Sequence, residues 1–320
     1  MISGFLVVDK PAGITSHDVV AVLRSTLRIK KIGHTGTLDP FATGVLPLAI
    51  GPSTRLIQFL DEGVKIYDAT ISLGRSTDTG DLMGDENGTS PVPQLEAPSV
   101  QRLLDGFCGE QMQTPPAYSA VKVDGKPLYK YAREGKSVQV AAKKIRIDSV
   151  QLLDLREDEV DIRVQCGRGT YIRVLGEQIA VALGTHGHLC QLRRLSSGPF
   201  DLTGALRFEE LSQLAADRTD WRPVLRPQRG AERIKWADPE LIQQGVIPRL
   251  IGPRAALSHL AEHEVSVADR ETLRVRGRVF TLPPEVADGA CWLAVCDGQM
   301  TAVLRREGSV GRVARMIVPV

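Results

Sequence analysis

The chain has 320 residues, of which 42% are hydrophobic and 24% charged, and its formal net charge is only +2. These values are typical of a globular protein with one large domain or two smaller ones, and they do not by themselves require a nucleic-acid partner. The five cysteines include no CxxC pair, which argues against a disulfide framework or a zinc cluster and favours reduced thiols in the cytoplasm.

The first part of the chain alternates between strand and helix signals. The apolar residues 4–8 predict a strand, which Asp9 ends too early for a signal peptide or a membrane span. Ser16 predicts the N-cap of a helix with apolar residues at helical spacing. Further strands are predicted at 67–73, 145–153 and 160–166, and helices at 99–107 and 171–183. Because these elements follow no regular βαβ rhythm, we predict an α+β fold.

The last third of the chain has a different character. Residues 217–257 are rich in Arg, Pro and Gly and have weak periodicity, so we interpret them as a connecting or inserted stretch. Short strands dominate after about residue 264 and predict a small β domain. These strands are predicted at 272–281, 291–296, 300–305 and 312–318.

Positive charge is concentrated in one window. Residues 112–146 hold eight Lys and Arg against two Asp and Glu, which gives +6 in a chain that is +2 overall. Tyr118, Tyr129 and Tyr131 lie among these cations. Cations interleaved with stacking rings suit an RNA surface, and a solvated charged face with tyrosines packed beneath it explains them equally well.

Residues 33–44 predict a shaped loop that presents one carboxylate. The segment holds three glycines, and Asp39 is followed directly by a proline, a composition that no helix or strand favours. His34 lies on the same loop, five residues before the acid. An acid before proline is often only a turn residue that caps local N–H groups. If the chain is an enzyme, we expect its chemistry here.

Several segments together resemble a known family. The loop reads Gly-His-Thr-Gly-Thr-Leu-Asp-Pro-Phe-Ala-Thr-Gly, and the other segments are residues 5–16, Tyr67 with 73–81, 115–135, 169–173 and 192–195. They resemble the motifs of the tRNA pseudouridine-55 synthase (TruB) family. The resemblance runs from about residue 4 to 212 and resumes near 257–260, and the stretch between departs from the family's usual spacing.

The resemblance implies an architecture. It implies a pseudouridine-synthase-like mixed or antiparallel sheet core with flanking helices and an inserted thumb at about 112–140. It places a catalytic domain at residues 1–262, which includes the connecting stretch 217–257. A small PUA-type β-barrel that binds RNA follows at residues 263–320.

The resemblance also implies a reaction, the isomerisation of uridine 55 in the T-loop of tRNA to pseudouridine. The bond from C1′ to N1 breaks, the uracil turns, and a bond from C1′ to C5 forms. The family assigns catalysis to Asp39, with Arg173 as its cationic partner and Tyr67 stacked on the base. Covalent attack by the acid and removal of a sugar proton to give a glycal both stay open. We expect no metal and no cofactor, because nothing is oxidised or transferred between molecules.

Further residues are implied to bind the RNA. His34 would fill the place of the flipped-out base, and Tyr171 and Leu192 would line the pocket. Lys10 would either stabilise the loop or contact a phosphate. The thumb would supply Lys122, Lys126, Tyr129, Lys130 and Arg133. We expect a cytoplasmic monomer that acts on the T-arm of tRNA without a guide RNA and without a membrane.

Two other functions remain open. One is a non-catalytic tRNA-binding or tRNA-folding protein, which would bind the RNA without modifying it. The other is a guide-dependent, dyskerin-like synthase that works inside a multi-protein particle. The long thumb-like segment 112–136 and the lack of lysine-rich tails favour the guide-independent enzyme.

Overall fold

The computed structural model describes residues 2–60, 63–208, 210, 244–283 and 285–317. The first part of the chain folds into β1 (Gly4–Lys10), α1 (Ser16–Leu27), β2 (Ile32–His34), β3 (Thr43–Ile50), a 3-10 helix (Gly51–Phe59), β4 (Val64–Leu73), β5 (Arg75–Thr77), β6 (Glu86–Thr89), α2 (Ala97–Asp105) and β7 (Gly109–Gln113).

A hairpin and a short helix follow, and then the second half of the main sheet. These elements are β8 (Lys122–Val123), β9 (Lys126–Pro127), α3 (Leu128–Arg133), β10 (Lys143–Leu155), β11 (Glu159–Gly167), α4 (Ile172–Ala182), β12 (Gly187–Ser197), β13 (Phe200–Asp201) and β14 (Leu206–Arg207).

Of the stretch predicted at 217–257, residues 217–243 lie outside the described residues. The chain is described again up to residue 317 with a 3-10 helix (Ile247–Arg249), α5 (Pro253–Ala256), β15 (Glu262–Glu264), α6 (Val267–Arg276), β16 (Arg278–Val279), β17 (Cys291–Cys296), β18 (Gln299–Glu307) and β19 (Val310–Met316). None of the helices in the described ranges is long and apolar enough to cross a membrane.

A ten-stranded mixed sheet forms the centre of the protein. Its strands run in the order β14-β1-β3-β12-β4-β11-β10-β7, with β2 paired to β3 and β13 to β12. The contacts of β1 with β14 and of β12 with β3 are parallel, and the other pairings of this sheet are antiparallel. A mixed sheet with α1, α2 and α4 packed into one apolar core confirms the predicted α+β class.

Strand β1 contributes to two hydrophobic cores, because successive side chains of a strand point to opposite faces of the sheet. Leu6 and Val8 lie in the core that contains the helices. Phe5 and Val7 lie in a second core, which they share with Leu293 and other residues of the C-terminal region. The second core therefore joins the C-terminal strands to the back of the main sheet.

The C-terminal strands form a five-stranded sheet in the order β15-β17-β18-β19-β16, and this sheet is not closed. Its last three strands in the chain match the predicted positions. The strand predicted at 272–281 is wrong, because residues up to Arg276 form α6. The Ser266 hydroxyl accepts a hydrogen bond from the N–H of Asp269 and starts this helix, and Gly277 ends it at φ 67°.

Helix α1 begins one residue earlier than predicted. Thr15 is its N-cap: the Thr15 hydroxyl accepts from the N–H of Asp18, and the Asp18 carboxylate accepts from the N–H of Thr15. The predicted cap, Ser16, points inward instead. Its hydroxyl donates to the carbonyl of Leu38 at 3.0 Å and accepts from the N–H of Leu38 at 2.8 Å. Helix α1 thereby holds the loop that carries Asp39.

Candidate active site

The predicted loop lies between two strands that pair with each other. His34 ends β2 and pairs with Leu48 of β3, so the chain leaves and re-enters the sheet at nearly the same place. The N–H of Thr35 donates to the carbonyl of Pro47 at 3.0 Å, and the N–H of Ala42 donates to the carbonyl of Asp39 at 3.1 Å. The loop is therefore a tight structure held at both ends, with Asp39 at its centre.

Lys10 supports this loop from below. Its ammonium group is fully buried and donates to the carbonyls of Pro11 at 2.8 Å, Ile14 at 2.8 Å and Pro40 at 3.2 Å. Burial lowers the pKa of Lys10 to about 8, although the nearby Asp39 opposes this shift. All three of its donors are used within the protein. Of the two predicted roles, this geometry favours support of the loop over contact with a phosphate.

Asp39 meets Arg173 across 134 positions of sequence. The Nε of Arg173 donates to Oδ2 of Asp39 at 2.9 Å, and its Nη2 lies 3.4 Å from Oδ1. Arg173 is 4% exposed, whereas the Asp39 side chain is 33% exposed. Arg173 lies in the first turn of α4, which places its side chain beside the loop. The acid and its cationic partner are thus in contact, and Asp39 is the more exposed of the two.

Burial raises the pKa of Asp39 above its ordinary value. The Arg173 guanidinium opposes this shift, the neighbouring Asp81 carboxylate adds to it, and Lys10 lowers the pKa again. A carboxylate whose pKa is raised is a stronger base when ionised, so this environment suits proton abstraction as well as attack on carbon.

Tyr67 lies on β4 and faces the same cavity as the acid. It is 7% exposed. Burial raises the pKa of its phenol, so the hydroxyl is protonated near neutral pH, while the neighbouring Arg194 lowers that pKa. The cavity measures about 280 Å³ and is lined by Asp39, Tyr67, Tyr171, Arg173, Leu192 and Arg194, among others. A volume of this order suits a small ring such as a nucleobase.

Two predicted pocket residues lie in the cavity wall. Tyr171 is the N-cap residue of α4, and its backbone is fixed by Gln113: the N–H of Tyr171 donates to Oε1 at 2.8 Å, and Nε2 donates to its carbonyl at 3.2 Å. Leu192 comes from β12 and is 7% exposed. The structure thus brings both side chains together with Asp39 and Tyr67.

His34 lies on the same loop but outside the lining of that cavity. Its ring is half-buried, and its Nδ1 has no hydrogen-bond partner within the described part of the chain. Burial, His17 and Arg194 all lower the pKa of His34, so the ring is uncharged at neutral pH. A flat, uncharged ring at the rim of the loop is available to stack against a base.

The predicted thumb is a hairpin and a helix inserted between β7 and β10. Asp124 and Gly125 take positive φ values of 50° and 78°, as a two-residue hairpin turn requires. Leu128 is 3% exposed and anchors α3. The predicted RNA-binding residues Lys122, Lys130 and Arg133 are exposed, and Lys126 and Tyr129 are half-buried.

Two of the thumb cations lie over tyrosine rings. The Lys126 ammonium is 4.4 Å from the centre of the Tyr131 ring and also forms an ion pair with Glu134 at 2.5 Å. The Arg133 guanidinium is 5.5 Å from the centre of the Tyr129 ring. Such contacts orient the cations while leaving their outer N–H groups for a ligand. Lys126 is already neutralised in part by its acid partner.

Two residues of this site were not predicted from the sequence. Asp81 is 5% exposed, and its Oδ2 lies 3.6 Å from the Nε of Arg173, so the arginine faces two acids. Arg194 is 1% exposed and lines the cavity. Both residues fall inside segments that carry the family resemblance, which was the available signal, but nothing in their spacing distinguishes them from surface charges.

Two family models match this chain. Residues 24–172 match the model of the TruB family pseudouridylate synthase N-terminal domain, which spans Asp39 and Tyr67. Residues 173–231 match the tRNA pseudouridylate synthase B C-terminal domain, which begins at Arg173.

Curated relatives and solved structures extend the likeness. The tRNA pseudouridine synthase B of Geobacter sulfurreducens is 49% identical over 212 residues, which cover 66% of this chain and 70% of that protein. The protein of the same name from Francisella tularensis subsp. novicida is 44% identical over 68% of this chain and 72% of its own length.

Among solved structures, a Cbf5-Nop10-Gar1 complex matches with a TM-score of 0.70 at 23% identity, over 99% of this chain and 85% of that one. An H/ACA RNP bound to a substrate RNA containing 2′-deoxyuridine matches with a TM-score of 0.68 at 22% identity, over 99% and 85%. At these identities the likeness shows the pseudouridine synthase fold. The sequence matches carry the assignment further: this chain belongs to the TruB family of pseudouridylate synthases.

Proposed function

We propose that the protein isomerises uridine 55 in the T-loop of tRNA to pseudouridine, with Asp39 as the essential catalytic residue. The observation that carries the proposal is the Asp39–Arg173 pair, whose acid faces a cavity of about 280 Å³ that Tyr67 also lines. The names of the relatives, tRNA pseudouridine synthase B, supply the substrate class.

The chemistry follows from the positions of these groups. The carboxylate of Asp39 acts on the sugar, either at C1′ or on a sugar proton, as the bond from C1′ to N1 breaks. Tyr67 stacks on the uracil while it turns and presents C5 to C1′. The hydrogen on C5 then leaves as a proton, and the Tyr67 hydroxyl relays it: the phenol oxygen accepts this proton while its own proton passes to water. Both routes use the same ionised acid and need no cofactor.

Residues around the cavity and on the thumb would bind the RNA. We assign His34 to the gap left by the flipped-out uridine, because its uncharged ring stands at the rim of the loop. Tyr171 and Leu192 would hold the base. The thumb would clamp the T-arm through a set of cations and one ring: Lys122, Lys126, Tyr129, Lys130 and Arg133.

The division of the chain is part of the same proposal. Residues 1–262 would be the catalytic domain, and residues 263–320 a PUA-type domain that reaches further along the tRNA. The five-stranded C-terminal sheet, whose first strand begins at Glu262, supports this division. We infer a cytoplasmic monomer that needs no guide RNA.

The experiment incubates the pure full chain with a bare T-arm hairpin labelled with tritium at C5 of the target uridine. Release of tritium without guide or partner proteins supports the guide-independent enzyme, and its absence favours the guide-dependent alternative. Asp39→Asn should abolish release while hairpin binding persists. Asp105→Asn, an exposed acid on α2, is the matched control and should behave as wild type. Full activity of Asp39→Asn would show that Asp39 is not the catalytic residue, and the loop would then have a role in RNA binding only.

A further inference from the structure

A second buried arginine faces the cavity. Arg194 lies on β12 and pairs in register with Tyr67 on the adjacent strand β4. It is 1% exposed and is one of the largest fully buried side chains. No ion pair among the residues that the structure describes includes it. Arg194 is therefore a buried cation without a carboxylate partner in the described part of the chain, next to the proposed site of the reaction.

The guanidinium is bonded to the backbone that carries Asp39. Its Nε donates to the carbonyl of Val45 at 2.7 Å, its Nη2 to that of Gly36 at 3.2 Å, and its Nη1 to that of Thr37 at 3.4 Å. Val45 lies on β3, after the loop, whereas the other two residues precede the acid by two or three positions. One side chain thus connects both arms of the loop.

The same guanidinium lies beside the Tyr67 hydroxyl. The positive charge of Arg194 lowers the pKa of this phenol against the larger effect of burial. Gly36, Tyr67 and Arg194 all line the cavity. The residue proposed to act on the sugar and the residue proposed to stack on the base therefore share one neighbour.

Burying an uncompensated charge is expensive, and carbonyl acceptors offset only part of that cost. Neutral donors such as a glutamine amide would be sufficient merely to tie two backbone segments together. The positive charge of Arg194 therefore has a role beyond joining backbone segments. Its position beside Tyr67 indicates that this role is electrostatic. A fixed positive charge in a water-excluded site acts strongly on groups that gain negative charge during reaction.

We propose that Arg194 is a positioning residue of the reaction. Its charged side chain fixes the position of the Asp39 loop relative to the Tyr67 hydroxyl. This inference rests on the proposed isomerisation of uridine. It assigns to Arg194 no direct contact with the substrate. Its effect should appear in the rate of the chemical step and much less in the binding of RNA.

The test compares Arg194→Lys and Arg194→Gln in the full chain with wild type on the T-arm hairpin. Lysine keeps the charge but loses the planar fork, whereas glutamine keeps neutral donors and loses the charge. We expect kcat to fall about tenfold for lysine and about a hundredfold for glutamine, with KM changed by less than about threefold. The loss caused by glutamine should be smaller in a Tyr67→Phe background, because coupled residues are not additive.

Arg193 supplies the matched control. It is the preceding residue on β12, its side chain is 40% exposed, and it bonds Asp9 at 2.8 Å. Arg193→Lys and Arg193→Gln should keep wild-type kcat. The inference is wrong if a folded Arg194 variant has wild-type kcat, if its loss lies in KM alone, or if its effect simply adds to that of Tyr67→Phe. A wild-type protein without turnover would instead refute the proposed function.

Gly36 gives a second approach if neither Arg194 variant folds. A Cβ at this position would lie 3.7 Å from Nη1 of Arg194, which is ordinary contact, and no other atom lies within 4 Å. Gly36→Ala should therefore be accommodated, whereas the larger side chain in Gly36→Val should push the guanidinium away from the loop. We expect the kcat of the valine variant to lie below that of the alanine variant, and this further loss should be smaller in a Tyr67→Phe background. Equal kcat values for the two variants would overturn the inference.

Discussion

Arg173 is fixed by two backbone carbonyls independently of Asp39. Its Nη1 donates to the carbonyl of Thr79 at 2.6 Å, and its Nη2 donates to the carbonyl of Tyr118 at 2.8 Å. These carbonyls belong to the segment after β5 and to the first part of the thumb. The guanidinium therefore stays in place when the acid changes its protonation state, and the acid is the variable member of the pair.

This arrangement predicts the effect of Arg173→Met on the pH profile. Arg173 lowers the pKa of Asp39, so its removal should raise that pKa further. Asp39 is active when ionised, so activity is lost as the pH falls through the pKa of this residue. The acidic limb of the single-turnover rate should therefore move to higher pH, and the rate at neutral pH should fall about a hundredfold. A slower variant with an unmoved acidic limb would contradict the electrostatic role of Arg173.

Lys10→Met should reduce kcat without changing the salt dependence of RNA binding. The ammonium group holds the carbonyl of Pro40, next to the acid, and is fully buried. A lost phosphate contact lowers the slope of binding against salt by about one, whereas a lost loop contact does not. Lys130→Met, which changes an exposed thumb cation, should show that lower slope. An equal reduction for Lys10→Met would show that this residue contacts phosphate.

The same lysine predicts a signature in stability. Its pKa is about 8 in the folded protein against an ordinary 10.5. Between these pH values the unfolded chain holds a proton that the folded protein has released, so stability rises with pH. Urea unfolding from pH 8 to 10.5 should therefore show wild type gaining free energy of unfolding relative to Lys10→Met. A constant difference between the two proteins would indicate that the buried amine keeps its ordinary pKa.

His34→Phe should keep more RNA affinity than His34→Ala. The proposed stacking needs a flat ring, and the Nδ1 of His34 has no partner in the described residues to lose. Removing the ring should cost about 1–3 kcal/mol of binding free energy to the T-arm hairpin. Affinity should also be insensitive to pH around neutrality, because the pKa of His34 is lowered. His188→Ala, which changes a histidine near the start of β12, is the control. If His188→Ala lost as much affinity as His34→Ala, a specific stacking position for His34 would be wrong.

Gly44→Ala should destabilise the protein far more than Gly109→Ala. Both glycines have positive φ, 98° and 110°, so each alanine has a backbone strain of about 1–3 kcal/mol. A Cβ on Gly44 would lie 2.2 Å from the carbonyl oxygen of Arg194, whereas Gly109 has nothing within 4 Å. The clash should cost about 1–3 kcal/mol more in urea unfolding. Equal losses would mean that β3 and β12 can separate at this point.

Local sequence signals predicted the main elements and failed where tertiary contacts decide. Thr15 and Ser16 are equally able to cap α1, and only the contact of Ser16 with Leu38 determines which of them does. Helix α6 overlaps the strand predicted at 272–281, although Ser266 and Gly277 offer cap signals on either side of it. In that case the local information is present in the sequence and indicates a helix.

The site was predictable only in part. The pairing of Asp39 with Arg173, which lie 2.9 Å apart, was expected only from family resemblance, because no local pattern connects residues 134 positions apart. The burial of Lys10 and Arg194 was not predictable, since both cations depend on carbonyls supplied by separate segments of the chain. A lysine or arginine in the sequence usually indicates the surface, and here two of them lie beneath the loop.

The exchange of hydrogen bonds between Phe5 and Ile251 has a consequence for synthesis. Each N–H donates to the carbonyl of the other residue at 2.8 Å, although 246 positions separate them. At about 5–20 residues per second, the ribosome needs tens of seconds or less to supply the second partner. Strand β14 pairs with Val8 and Asp9 on that edge of β1 as soon as it is made, so only the part of the edge at Phe5 stays unpaired until Ile251 arrives. Such distant pairing also slows folding, so completion of the sheet edge at β1 depends on a segment that is made about three quarters of the way through synthesis.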